Sequence, residues 1–289
     1  MNGIIVIDKP AGWTSHDVVA KLRGILKEKR IGHSGTLDPM ATGVLPVFIG
    51  RATRAVMFCE ADDKEYIAGL RLGIVTDTQD TTGTILSEAD VRVSRLDVEQ
   101  AVLKFTGVQE QLPPMYSAVK IGGQKLYQLA RRGIEAERKP RQITIESIEV
   151  LPQTGDEFPL RIHCSKGTYI RTLCHDIGRH LGCGGAMSSL RRVRAGAFSE
   201  AEAVLIAEVE KAVSEGRIGA LLKPVDSLFT SYPPVYIDAR QKAKCLNGAE
   251  FAVDFSDGLC RVYDSNHDFL MLGQVDGGIM HTVKSFFDV

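Results

Sequence analysis

The chain has 289 residues and a mass near the size of two domains, with 44% hydrophobic and 25% charged residues, the proportions of an ordinary folded globular protein. These figures exclude a disordered chain, a collagen and a coiled-coil rod. No apolar run reaches the roughly 18 residues that a membrane-spanning helix requires, and the first residues lack a basic, then apolar, leader. The expectation is a protein of the cytosol without a membrane partner. The formal net charge of −1 hides a segregation: residues 1–54, 113–142 and 160–194 together carry +15, and the remaining 170 residues carry −16. If the fold brings the three stretches to one face, that face attracts polyanions.

In chain order, Ile4–Ile7 is a short apolar run of strand type, ended by the turn Lys9-Pro10-Ala11-Gly12. Ser15 is placed to cap a helix on which Val18, Val19, Leu22, Ile25 and Leu26 recur at helical spacing. Gly32–Gly43 holds three glycines and a proline, which rules out regular structure. Val44–Ile49 and Ile67–Ile74 read as strands, and Ser94–Phe105 as a capped helix. The stretch 113–142, rich in Pro, Gly, Lys and Arg, has a short helix near Lys125–Arg132 and the character of a mobile lid. Strands at Ile143–Val150 and Leu160–Cys164 precede a helix from about Tyr169 to Leu181, and a further helix covers Ser199–Glu215. Ser231-Tyr232-Pro233-Pro234 reads as a linker to a small all-β module, placing the domain boundary near 231.

The six cysteines form no C-x-x-C pair and are expected as reduced thiols. His163, Cys164, Cys174, His175, His180 and Cys183 could be imagined around zinc, but His163 and Cys164 are strand neighbours facing opposite ways, so no metal is expected. Asp77 and Asp80 lie in a Thr-rich turn, where aspartates are ordinarily structural. The sequence has no phosphate-binding G-x-x-x-x-G-K-[ST], no dinucleotide fingerprint and no G-x-S-x-G elbow. Asp38 is the lone carboxylate of the Gly32–Gly43 loop, with His33, Ser34 and Thr36 beside it. It is either a turn former or a catalytic carboxylate held by rigid surroundings, and the loop alone leaves both open.

Asp8-Lys9-Pro10-x-Gly12-x-Thr14-Ser15, Gly32-His33-x-Gly35-x-Leu37-Asp38-Pro39-x-Ala41-x-Gly43, Lys64-x-Tyr66, Ser165-Lys166-Gly167-Thr168-Tyr169-Ile170-Arg171 and Leu190-Arg191-Arg192 resemble, in order, the motifs of the bacterial tRNA pseudouridine-55 synthase family. The resemblance spans residues 3–198; the tail from about 232 is only loosely similar to the family's RNA-binding PUA module. It implies an α+β fold, with a mixed, largely antiparallel sheet, flanking helices and a central catalytic cleft over residues 1–231, and a PUA-like module over 232–289. It further implies isomerisation of a T-loop uridine of tRNA with no cofactor, by a monomer without an obligate protein partner. Carried over by motif, Asp38 is the catalytic aspartate, attacking C1′ or removing the 2′ proton, with Arg171 as its ion-pair partner. Tyr66 stacks on the uracil, His33 fills the space of an everted nucleotide, Tyr169 and Leu190 line the base pocket, and Lys9 and Pro10 brace the loop.

Ser117-Ala118-Val119-Lys120 and Tyr127-x-x-Ala130-Arg131-x-Gly133 are similar to the family's thumb, so Lys120, Arg131 and Arg132 are implied to contact RNA. The tail, with 5 basic and 8 acidic residues, is poorly suited to grip phosphate. Three rivals stand beside this reading. One is a guide-RNA-dependent relative, which the thumb-like insertion disfavours; another is a non-catalytic RNA-binding protein in which Asp38 is structural; the third and weakest is a glycosidase-like hydrolase, which would liberate free uracil.

Overall fold

A computed structural model describes residues 1–59, 63–153 and 155–287. Its centre is a nine-stranded sheet. The main order is Gly3–Lys9, Thr42–Ile49, Gly185–Ala195, Lys64–Leu72, Glu157–Cys164, Arg141–Val150, Gly107–Gln111; Ile31–His33 pairs with Thr42–Ile49 and Phe198–Ser199 with Gly185–Ala195. Every pairing is antiparallel except that of Gly185–Ala195 with Thr42–Ile49, which makes the sheet mixed and largely antiparallel.

Helices Ser15–Leu26, Arg95–Leu103 and Ile170–His180 bury apolar stripes on this sheet. Val18, Val19 and Leu22 join Ile5, Ile7, Leu45 and Val47 in one cluster; Ile170, Leu173 and Ile177 join Leu70, Leu160 and Ile162 in another. Two segments flank the sheet's edge. Val204 and Lys223 exchange backbone hydrogen bonds with Val6, Asp8 and Ile4, which covers the open edge of the first strand.

Several elements differ from the sequence expectation. The first helix is capped by Thr14, whose hydroxyl accepts from the Asp17 amide while Asp17 accepts from the Thr14 amide. Ser15, expected as the cap, is the first helical residue, and its hydroxyl accepts from the amide of Leu37 at 2.9 Å, tying the helix to the Gly32–Gly43 loop. The expected strand Ile67–Ile74 stops at Leu72. Gly73, at φ +84°, turns the chain into a separate hairpin of Ile74–Thr76 with Ile85–Glu88. The expected helix Ser199–Glu215 is a 3₁₀ turn at Glu200–Glu202 and an α-helix at Ile206–Ser214. The interruption lies where Val204 is drawn into pairing with the first strand.

The second sheet has five strands in the order Pro234–Tyr236, Gly258–Tyr263, Phe269–Asp276, Ile279–Ser285, Phe251–Ala252, with a helix at Ala239–Leu246 where only strands were expected. It is not detached from the large sheet. Leu272 and Phe286 share a core with Val6, Phe48 and Phe229, and Arg54 donates to the carbonyl of Ser285 at 3.0 Å.

The Gly32–Gly43 loop is fastened from below by Lys9. This side chain is fully buried, and its ammonium donates to the carbonyls of Trp13 at 2.5 Å, Pro10 at 2.9 Å and Pro39 at 3.3 Å. Burial pushes its pKa down from 10.5 to about 8, opposed by the charge of Asp38 and assisted by Arg192. The unfolded chain therefore holds a proton that the folded chain has released between about pH 8 and 10.5, so the cost of burying this charge disappears as pH rises through that window. In urea titrations from pH 7 to 10.5, the stability of the parent relative to Lys9→Met should increase above pH 8; a difference independent of pH would contradict the assignment.

Candidate active site

The loop bearing Asp38 joins Ile31–His33 to Thr42–Ile49, neighbouring strands of one sheet, so both ends of the loop are fixed by ladder hydrogen bonds. Ala41 N donates to Asp38 O at 3.1 Å and Gly12 N to Pro39 O at 2.8 Å, closing the loop on itself and on the first turn. Leu37 and Ala41 are buried in the core, and Asp38 between them keeps a partly exposed side chain.

Arg171 reaches this carboxylate from the first turn of the Ile170–His180 helix. Its Nε donates to Asp38 Oδ2 at 2.9 Å and its Nη2 approaches Oδ1 at 3.4 Å, a two-point contact matching the guanidinium fork to the carboxylate. Two further bonds go to backbone: Nη1 donates to Thr78 O at 3.0 Å and Nη2 to Tyr116 O at 2.8 Å. Only 4% of Arg171 is exposed, so its charge acts through a medium of low dielectric on a carboxylate that itself reaches solvent.

A second carboxylate faces the same guanidinium. Asp80 Oδ2 lies 3.8 Å from Arg171 Nε, and Asp80 Oδ1 accepts from Thr78 Oγ1 and from the amide of Thr82 at 2.9 and 3.0 Å. The turn that carries it is strained: Gln79 sits at φ +64°, with its amide oxygen accepting from Thr172 at 2.7 Å. This turn thus supports Arg171 from behind, a role the sequence reading did not assign to it. Asp77, its companion in that reading, instead accepts from the amide of Thr84. Among the described residues no group of three or more His, Cys, Asp or Glu is disposed to hold a metal ion. His163 pairs with Asp63 and Arg194, while Cys164, Cys174 and Cys183 are buried free thiols.

The other expected residues fall into two places. Tyr66, on Lys64–Leu72, and Leu190, on Gly185–Ala195, are buried in the cluster that also contains Leu37 and Ala41. Burial raises the Tyr66 phenol, opposed chiefly by Arg192, so the hydroxyl keeps its proton at neutral pH. His33 ends the short strand at the mouth of the loop. Its pKa is lowered by burial and then by Arg192 and His16, so the ring is neutral at physiological pH, and its Nδ1 is buried without a hydrogen-bond partner. Tyr169 is fixed through its backbone: its amide donates to Gln111 Oε1 at 2.8 Å and its carbonyl accepts from Gln111 Nε2 at 3.0 Å. Gln111, unnoticed in the sequence, therefore locks the start of the helix that carries Arg171.

Lys120, Arg131 and Arg132 are on the insertion and exposed. Lys120–Ile121 and Gln124–Lys125 form a hairpin followed by the helix Leu126–Ala130; Arg131 lies over the Tyr127 ring at 5.4 Å. A cavity of about 280 Å³ opens between this hairpin and the following strand, with Lys120, Lys139 and Arg141 on its rim. The insertion touches the centre through Tyr116, whose carbonyl accepts from Arg171.

A buried arginine grips a half-exposed aspartate, beside a buried tyrosine and in contact with the insertion through the Tyr116 carbonyl. Comparison with known proteins points the same way. Residues 23–170 match the model of the TruB family pseudouridylate synthase N-terminal domain, and residues 171–230 that of the tRNA pseudouridylate synthase B C-terminal domain. A curated relative from Aromatoleum aromaticum, tRNA pseudouridine synthase B, is 45% identical over 96% of this chain and 90% of its own; one of the same name from Clostridium kluyveri is 42% identical over 99% and 100%. Among solved structures, one of a Cbf5–Nop10–Gar1 complex superposes with a TM-score of 0.73 at 29% identity, covering 99% of this chain and 85% of the other. A structure of an H/ACA RNP bound to a substrate RNA containing 2′-deoxyuridine gives a TM-score of 0.72 at 27% identity, with the same coverage. The chain belongs to the TruB family of pseudouridylate synthases.

Proposed function

We propose that this chain converts the T-loop uridine at position 55 of tRNA to pseudouridine, as a single cytosolic protein without a cofactor, with Asp38 as its catalytic carboxylate. The two-point Asp38–Arg171 contact carries the reading. The reaction breaks the N1–C1′ bond, turns the uracil in place, forms the C5–C1′ bond, releases the C5 proton to water and takes up one proton at N1, so that product and substrate are isomers. A carboxylate serves such chemistry either as a nucleophile at C1′ or as a base toward the 2′ hydrogen, and in both cases it must be ionised. Arg171, sealed from solvent, fixes the direction of the carboxylate oxygens through its two-point contact.

A uridine stacked within an RNA loop hides its sugar carbon, so the nucleotide must leave the stack, at a cost of a few kcal/mol. Tyr66 supplies a π-face for the uracil, Leu190 and Tyr169 supply apolar walls, and the neutral ring of His33 fills the vacated position without introducing a charge. The thumb brings Lys120, Arg131 and Arg132 to the phosphates. Because this cationic arm belongs to the chain itself, it supports action without a guide RNA or partner protein.

Asp38→Asn keeps the shape and removes the charge. On a T-arm stem-loop labelled at uridine C5, with no cofactor added, the parent should release label to water and the variant should release none while still binding. Parent protein that binds without release would leave a non-catalytic RNA-binding protein as the better account; free uracil among the products would indicate a glycosidase. Replacing Arg131 and Arg132 together by Ala should weaken stem-loop binding and reduce the slope of log K against log salt by roughly one to two. An unchanged slope would remove these two residues from the RNA contact.

A further inference from the structure

Arg192 is the bulkiest of the fully buried side chains, with 1% of its surface exposed. Its neighbours on the same strand are ordinary partly exposed ion-pair formers: Arg191 pairs with Asp8 and Glu200, and Arg194 with Asp63 and Glu65. Arg192 has no carboxylate at ion-pair distance among the described residues; its guanidinium bonds to two backbone carbonyls and also faces the Tyr66 hydroxyl. Nε donates to Val44 O at 2.7 Å and Nη2 to Gly35 O at 2.8 Å. Gly35 and Val44 stand on either side of Asp38, so one guanidinium spans the neck of the catalytic loop.

The fit leaves no slack. A β-carbon on Gly35 would lie 3.0 Å from Arg192 Nη1, and one on Gly43 would lie 2.2 Å from the Arg192 carbonyl oxygen. The backbone of Arg192 pairs with Gly43 on one side and with Tyr66 on the other. The loop bearing the carboxylate and the strand bearing the aromatic ring are therefore both registered against this one residue.

Burying a guanidinium without a counter-ion is expensive, and an apolar side chain would satisfy a purely structural need at lower cost. Resting on the function proposed above, we infer that Arg192 is a positioning residue for the isomerisation: it fixes the separation of the Asp38 carboxylate and the Tyr66 ring by bonding the two ends of the Asp38 loop. Its fork reaches two carbonyls at once, which a lysine ammonium at the same place cannot reproduce. Its charge also reaches Tyr66 and His33, which ties the electrostatics of the base pocket to the same side chain.

The test uses the full chain with Arg192→Lys and Arg192→Gly, measuring single-turnover label release, stem-loop affinity and the urea unfolding midpoint. Arg192→Lys should lower the single-turnover rate about a hundredfold, as a misplacement of about 1 Å does, with affinity kept within about twofold. Added guanidinium ion should restore part of the rate of Arg192→Gly, and methylammonium should not. The inference is overturned if Arg192→Lys keeps the parental rate. It is equally overturned if rate, affinity and midpoint fall together in both variants with no response to guanidinium, since that pattern describes a strut of the fold. Failure of the parent itself to release label would count against the isomerase reading instead.

Discussion

The architecture of the site depends on the cost of holding a guanidinium in a place with almost no water. Arg171 is sealed at the start of its helix, and each partner it has is supplied by a different part of the chain: Asp38 from the loop, Thr78 and Asp80 from the turn after Lys64–Leu72, and Tyr116 from the base of the thumb. Removing any one of them would leave a charge or a donor unmet in low dielectric. The requirement that Arg171 be satisfied thus draws three distant segments to one point, and the carboxylate of Asp38 is held in place by the same requirement. Its partial exposure leaves one side open to a reactant.

The rest of the molecule can be read as support for that contact. Lys9 and Ser15 hold the loop from the first turn and helix, Gln111 holds the helix start through Tyr169, and Arg192 spans the loop neck. Each is buried and each bonds to backbone or to a buried amide rather than to a solvent-exposed side chain, so the loop is rigid although it has no regular structure. Other cations of the basic stretches are exposed, among them Lys120, Arg131 and Arg132 on the insertion and Lys166 and Arg179 beyond it. The charge segregation of the sequence therefore has two origins. Some cations are internal fasteners, and only the others are available to a polyanion.

Much of the sheet was legible because its strands are apolar runs bounded by glycine and proline, and the helices because capping residues precede apolar spacing. Gly185–Ala195, which lies inside the large sheet, was not foreseen. Its sequence carries three arginines, and nothing local shows that Arg194 would pair with an acid 131 residues away and Arg191 with one 183 residues away while Arg192 donates to carbonyls. The break in the expected Ser199–Glu215 helix was hidden for a similar reason, since the first strand, about 200 residues earlier, claims Val204. Within the site, Asp38, Tyr66, His33 and Arg171 were named from the motifs that resemble the family, and the structure brings Asp38 and Arg171 into contact and sets Tyr66 in the core cluster beside the loop. Asp80 and Gln111 were missed or read as structural because their significance lies in a tertiary partner that spacing does not reveal.

The planar fork of Arg171, and not merely its positive charge, holds the Asp38 carboxylate in one direction. Arg171→Lys preserves the charge and removes the fork. Measured in a single turnover on a T-arm stem-loop, the account predicts a fall in rate of at least about a hundredfold with binding retained. A lysine variant that turns over at the parental rate would contradict it.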